Sequence, residues 1–183
     1  MTKQTLREKI FSRIASKSSS ELRKKSRIIQ RKLFGSELFA KARCICIYVS
    51  LPIEVDTRPL IDKSLKLGKK ILVPLAEPRT KQLKFYEIKN RRKDLKKGAY
   101  GILEPIRGKV KPAVIKEAEL VIVPGVVFDK RNHRIGRGAG FYDRFLKKVG
   151  KKIPKVGLAF SFQVVDRVPT AKHDYRLDKV ITD

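Results

Sequence analysis

The sequence predicts a layered α/β domain on a largely parallel sheet, and three observations carry that prediction. Short, near-continuous apolar runs recur at 44–49, 70–75, 120–123 and 155–160, the pattern of strands covered on both faces. Stretches with apolar residues three and four apart stand between and before them, so strand and helix patterns alternate along the chain. The chain has 183 residues, 42% of them hydrophobic, which is enough to bury one substantial core and sets a single domain over 1–183.

Taken in order, residues 3–16 carry Leu6, Ile10 and Ile14 at four-residue spacing and are expected to be helical. Ser18 followed by Glu21 is a capping-box pattern opening a second helix to about Phe34. A short helix is expected over 37–42 and a buried strand over 44–49. The 58–67 segment is a helix stopped by Gly68. Strands are expected at 70–75 and, with weaker alternation, at 84–88. The 120–123 strand ends at Pro124-Gly125, a helix is expected over 138–149, a strand over 155–160, and a short last one over 178–182.

Lys and Arg total 45 against 18 Asp and Glu, a formal net charge of +27. Such a field suits nucleic acid, where cations displace counterions from phosphates. It equally suits an enzyme that collects anionic small molecules. A third reading is a basic, thermophilic surface: Asn, Gln, Cys and Met are scarce and Lys is abundant, although the matching excess of Glu is missing. The basic residues are dispersed, the densest patch being 89–97, read as a solvated loop, and no RNP, KH or zinc-finger pattern appears. The first nine residues have no apolar signal core, and no apolar run reaches membrane-spanning length, so a soluble cytoplasmic protein is expected. Cys44 and Cys46 share a strand face and are expected as buried reduced thiols, since nothing completes a zinc site.

The segment that carries chemistry follows the 120–123 strand. Arg134-Ile135-Gly136-Arg137-Gly138-Ala139-Gly140-Phe141-Tyr142-Asp143 places three alternating glycines between a strand and a helix. Glycines allow close backbone approach, and backbone N–H groups at such a loop bind anions. Arg134 and Arg137 add planar donors suited to phosphate oxygens. Asp143, beside the same point, is a natural Mg²⁺ anchor, or else a first-turn acid favouring the helix dipole. The pattern is neither a Walker A nor a dinucleotide fingerprint.

With Pro124-Gly125-Val126-Val127-Phe128-Asp129 before it, this stretch resembles the signature of the 5-formyltetrahydrofolate cyclo-ligase family. The resemblance covers nearly the whole chain. It includes Lys-x-x-Leu-Arg at Lys3 to Arg7, the 48–57 run Tyr-Val-Ser-Leu-Pro-Ile-Glu-Val-Asp-Thr, the 100–105 run Tyr-Gly-Ile-Leu-Glu-Pro, and His173-Asp174 with Asp178. It implies a three-layer α/β/α fold of the sugar-phosphate isomerase-like kind. The implied reaction is conversion of 5-formyltetrahydrofolate to 5,10-methenyltetrahydrofolate with ATP and Mg²⁺, by a cytoplasmic monomer with no nucleic-acid or membrane partner. Phosphoryl transfer to the formyl oxygen and attack by N10 need positioning and charge stabilisation rather than a protein nucleophile.

The resemblance also implies roles. Lys3, Gln4, Thr5, Leu6 and Arg7, with Arg134, Ile135, Gly136, Arg137, Gly138, Ala139, Gly140, Phe141 and Tyr142, would bind ATP. Lys3 and Arg137 would act in catalysis. Val49, Glu54 and Tyr100, with Arg137 through Phe141, would contact folate, possibly polyglutamylated in the cell. Asp143 and Asp174 would face the metal. Each residue has a plainer reading: surface charge for Lys3 and Arg7, a loop carboxylate for Glu54, a packing aromatic for Tyr100. Ala139 and Phe141 stand where many relatives carry Gly or Lys and Tyr. The rival is a nucleic-acid binder using 136–140 and 89–97 on phosphate backbones, and a third reading is a relative that binds folate without turnover.

Overall fold

The computed structural model describes residues 1–98 and 101–183. The N-terminus forms α1 (Lys3–Ala15), α2 (Ser19–Phe34) and α3 (Glu37–Lys41). Thr2, Ser18 and Ser36 cap them, each side-chain oxygen accepting a backbone N–H of the first turn. Such a cap is worth about 1 kcal/mol. The polypeptide then alternates: β1 (Cys44–Ile47), α4 (Arg58–Lys66), β2 (Lys70–Glu77) and β3 (Gln82–Ile88). Next come α5 (Arg91–Asp94), β4 (Leu95–Lys97), β5 (Leu103–Pro105), β6 (Lys111–Pro112) and β7 (Leu120–Val123). The last part holds β8 (Val127–Asp129), β9 (Arg134–Ile135), α6 (Phe141–Leu146), β10 (Lys155–Leu158), β11 (Val164–Val165) and β12 (Lys179–Ile181).

The main sheet runs β12-β10-β7-β1-β2-β3-β6. Strands β12 through β2 are mutually parallel, and β3 and β6 add antiparallel at one edge. Alternation along β1 divides the core. Ile45 and Ile47 face α2, α3 and α4 through Ile29, Leu33, Phe39, Leu60 and Ile61. Cys44 and Cys46 face the other way, toward Phe128, Phe145 and Leu146. Helices therefore cover both faces, as expected. A third cluster packs Leu6, Ile10 and Ile14 of α1 against Val126, Val127 and Ile135 of the small β11-β8-β9 sheet.

Both thiols are free and buried, as the sequence implied. Burial pushes the Cys44 thiol up to about 11 and the Cys46 thiol higher still, so neither is a nucleophile. Among the described residues, no helix is long and apolar enough to cross a membrane.

Several boundaries differ from expectation. The first strand stops at Ile47 rather than 49, because the Tyr48 carbonyl leaves the ladder and accepts the Thr57 hydroxyl at 2.7 Å. The helix expected over 138–149 is only Phe141–Leu146, because Gly138 and Gly140 take φ of 112° and 68°. Left-handed backbone cannot continue a right-handed helix. The 89–97 patch is not a loop but α5 and β4; Asn90 caps α5, and Arg91 pairs with Asp62. The β8–β9 hairpin lies between Val123 and Gly138, where no element was expected.

Phe128 is fully buried and wedged between Gly157 within β10 and Gly125 just after the adjacent β7. A Cβ at Gly157 would lie 2.8 Å from its ring and 2.9 Å from Leu177; one at Gly125 would lie 2.5 Å from the ring. Gly157→Ala is therefore expected to overpack this point and cost about 1–3 kcal/mol, read as a lower midpoint in denaturant unfolding. An unchanged midpoint would show that Phe128 yields freely.

Candidate active site

The connection from β1 leads through α4 to β2 on one side, while that from β7 leads to β10 on the other. In an open parallel sheet, the point where connections diverge leaves a crevice beyond the strand C-termini. The main cavity, about 440 Å³, lies there. Tyr48, Val49, Leu51 and Glu54 enter it after β1, and Pro124 and Gly125 after β7. The segment from Arg134 to Asp143 forms one wall, Lys3 and Arg7 reach in from α1, and Asp174 comes from the loop before β12.

The glycine loop is braced from below. Arg134 is buried, its side chain 2% exposed, and its guanidinium donates to Asp143 at 2.9 Å. Burial pulls the guanidinium below its ordinary value, partly offset by the Asp143 charge. Its Nε has no partner among the described residues. Asp143 also accepts the Tyr175 N–H at 3.3 Å, tying the loop that carries Asp174 to α6. From α1, Arg7 donates to the Gly136 carbonyl at 2.8 Å, and Lys3 pairs with Asp174. Burial alone would raise the Asp174 carboxyl, but Lys3 and the Ala171 N–H outweigh it and hold the group low.

Glu54 is the opposite case. Its carboxylate accepts the Leu51 N–H at 2.9 Å, and Arg137 Nε stands 3.9 Å away. Burial nevertheless raises its carboxyl above the ordinary range. The loop that holds it is fixed by the Tyr48 hydroxyl donating to the Val55 carbonyl at 3.1 Å. Arg137 is half exposed and is the least constrained cation facing the crevice.

The structure thus brings together Lys3, Arg7, Val49, Glu54, Arg134 through Asp143, and Asp174. Three expected residues do not meet them. Gln4 and Thr5 are exposed away from the cavity, Gln4 pairing with Glu8, and Leu6 is buried against the small sheet. The reason is helical spacing: Lys3 and Arg7 share one face, and Leu6 belongs to the Ile10 stripe beside it. Arg134 lines the crevice, but its Nη2 donates to Asp143 rather than being left for a phosphate. Ile135 contributes mainly by anchoring β9 opposite Val127. Tyr100 lies outside the described residues. The helix after the glycine loop has six residues, so it offers loop N–H groups and the nearby Arg137, rather than a long helix dipole, toward the crevice. Sequence reasoning missed the apolar wall of Pro74, Ala76 and Leu83, which carries no motif and belongs to strands read chiefly as core.

No cluster of three metal-ligating side chains occurs among the described residues. Asp143 and Asp174 each bind the protein mainly through one oxygen, leaving the other for a cation. A donor set of two carboxylates fits Mg²⁺ completed by phosphate oxygens and water, not a cage made of protein alone.

A crevice at the switch point of a parallel sheet, walled by a glycine loop and flanked by Arg and Asp, defines a class: α/β proteins that take ligands beyond the strand C-termini. Within that class the chain belongs to the 5-formyltetrahydrofolate cyclo-ligase family, whose model matches residues 1–183. It is 27% identical over 187 residues to the mouse 5-formyltetrahydrofolate cyclo-ligase, covering 98% of this chain and 92% of that one. It is 30% identical to the Mycolicibacterium smegmatis enzyme of the same name, over 80% of this chain and 77% of that one. The solved 5,10-methenyltetrahydrofolate synthetase of Aquifex aeolicus superposes with a TM-score of 0.85 at 34% identity, covering 99% of this chain and 89% of that one. Family and structural neighbours support cyclo-ligase activity, and none supports the nucleic-acid rival.

The raised Glu54 carboxyl has a pH signature. A carboxyl whose folded value exceeds its unfolded one favours folding while protonated, and that contribution is lost as pH rises through the folded value. Above about pH 4.3, the ordinary Glu value, wild type should therefore lose stability relative to Glu54→Gln. Melting temperatures measured from pH 4 to 8 check this; parallel profiles would remove the buried-charge reading of Glu54.

Proposed function

We propose that the chain closes the imidazoline ring of 5-formyltetrahydrofolate using ATP and Mg²⁺. The γ-phosphoryl group passes to the formyl oxygen, N10 attacks the activated carbon, and the phosphate leaves with that oxygen, giving ADP and 5,10-methenyltetrahydrofolate. The observation that carries this reading is the pairing, in one crevice, of the glycine–arginine loop with a buried carboxylate on an apolar floor.

In this reading Arg137 stabilises the transferring phosphoryl group, because it is the exposed cation of the loop, with 50% of its side chain exposed. Lys3 and Arg7 approach the ATP phosphates from one helix face. Like charges at that spacing repel by a few tenths of a kcal/mol, a penalty that a bound anion removes. Glu54 accepts hydrogen bonds from pterin N–H groups, which supply the donors its buried carboxylate lacks. Val49 and the segment from Gly138 to Phe141 bound the folate ring, with Ala76 and Leu83 on its apolar side. Asp143 and Asp174 would hold Mg²⁺, which would screen charge on the phosphates. The dispersed positive field attracts ATP, folate and any polyglutamyl tail alike. A cytoplasmic monomer is consistent with this scheme.

Two experiments test the reading. Methenyl product should appear spectrophotometrically only when 5-formyltetrahydrofolate, ATP and Mg²⁺ are all present; folded protein that forms none would refute it. Asp143→Asn should raise the Mg²⁺ concentration for half-maximal rate and lower turnover. The same change strands the buried Arg134 guanidinium and should cost about 3–5 kcal/mol of stability. A Mg²⁺ titration superimposable on wild type would take Asp143 out of the metal site.

A further inference from the structure

Two anionic substrates meeting in one crevice must be held at a fixed separation, because small errors of position cost rate steeply. Two of the crevice walls belong to distant parts of the chain. One is the glycine loop, and another includes Ala76 and Leu83, which flank the β2–β3 turn. Arg144, on α6, joins the two without lining the cavity. Its Nε donates to the Lys81 carbonyl at 2.8 Å, and its Nη2 donates to the Ala139 carbonyl at 2.5 Å. The guanidinium also lies 5.8 Å from the centre of the Phe141 ring.

Both anchored segments have unusual backbone. Lys81 has φ of 52°, a left-handed conformation that is strained for a non-glycine residue and persists where its surroundings hold it. Gly140 has φ of 68°, and a Cβ there would lie 2.8 Å from Arg144 Nη1. The guanidinium thus occupies the space that the missing side chain leaves and turns the Ala139 carbonyl onto a residue outside the cavity. A planar fork can hold two carbonyls in fixed relation, whereas a lysine ammonium acts as a single point.

We propose that Arg144 is a positioning residue that locks the glycine loop, which both substrates touch, to the β2–β3 hairpin on the apolar side of folate, so that the two walls keep one separation. This rests on the two-substrate reading above. The surrounding fold does not depend on Arg144 alone. Phe145 packs on Phe85 with ring centroids 4.5 Å apart, and Lys148 reaches Gln82 at 3.3 Å.

Arg144→Gln and Arg144→Lys test the proposal through turnover, calorimetric binding of each substrate alone, and thermal melting. In Arg144→Gln, kcat should fall by about tenfold or more, while each single-substrate affinity stays within about threefold and the fold persists. Arg144→Lys should recover part of the loss. An unchanged kcat would overturn the proposal, as would affinities for both substrates falling in step with kcat and melting temperature, the mark of general loosening. A second measurement needs no turnover. ATP should slow amide exchange at 79–83 as well as in the glycine loop of wild type, and only in the loop of Arg144→Gln. An equal hairpin response in both proteins would overturn the strap. Absence of product from wild type, with the exchange difference intact, would count against the cyclo-ligase reading and not against Arg144.

Discussion

The ion pair between Arg134 and Asp143, formed where the Arg134 side chain is almost wholly out of solvent, is the constraint on which the site depends. Removing a guanidinium from water costs several kcal/mol, and only a well-placed carboxylate returns it. Here the pair spans the glycine loop, linking β9 below to the first turn of α6 above. Asp143 then extends the link to the Tyr175 N–H, and so to the segment carrying Asp174. The loop between the two partners has little freedom, although it is rich in glycine. Its glycines supply the left-handed turns, and the buried pair fixes where those turns end.

The same pair explains why a chain with so many cations commits so few of them to the crevice. Of the four cations assigned to phosphate from sequence, Arg134 is engaged internally, Arg7 holds the Gly136 carbonyl, and Lys3 is paired with Asp174. Only Arg137 faces the cavity loosely, near Glu54. The crevice is therefore nearly neutralised by its own groups. Most of the +27 lies elsewhere on the surface and acts on substrates as a diffuse field rather than through contacts.

Different parts of this architecture were legible in the sequence to different degrees. The buried strands were clear because a parallel strand, covered on both faces, must be apolar at every position, as in Cys44–Ile47 and Leu120–Val123. Helix α1 was clear from its Leu6-Ile10-Ile14 stripe. The edge strands β4, β5 and β6 were not, since two or three residues carry no period. The length of α6 was misjudged because the apolar stripe at Phe141, Phe145 and Val149 continues past the helical hydrogen bonds. The motif pointed to the correct neighbourhood but listed residues by adjacency in the chain: Gln4, Thr5 and Leu6 came with Lys3 and Arg7, though a helix turns them onto other faces.

By itself, the sequence determined the class of fold, the family and the segment that carries the chemistry, because each is written in local periodicity or in a contiguous motif. Tertiary structure alone decided which cations are free and which are spent, that the Glu54 carboxyl is held above its ordinary range while that of Asp174 is held below, and that Pro74, Ala76 and Leu83 form a wall of the crevice. The physical reason is that charge state and pocket shape depend on burial and on partners far apart in the chain: Lys3 meets Asp174, and Arg144 meets Lys81, only because the sheet folds their segments onto one end.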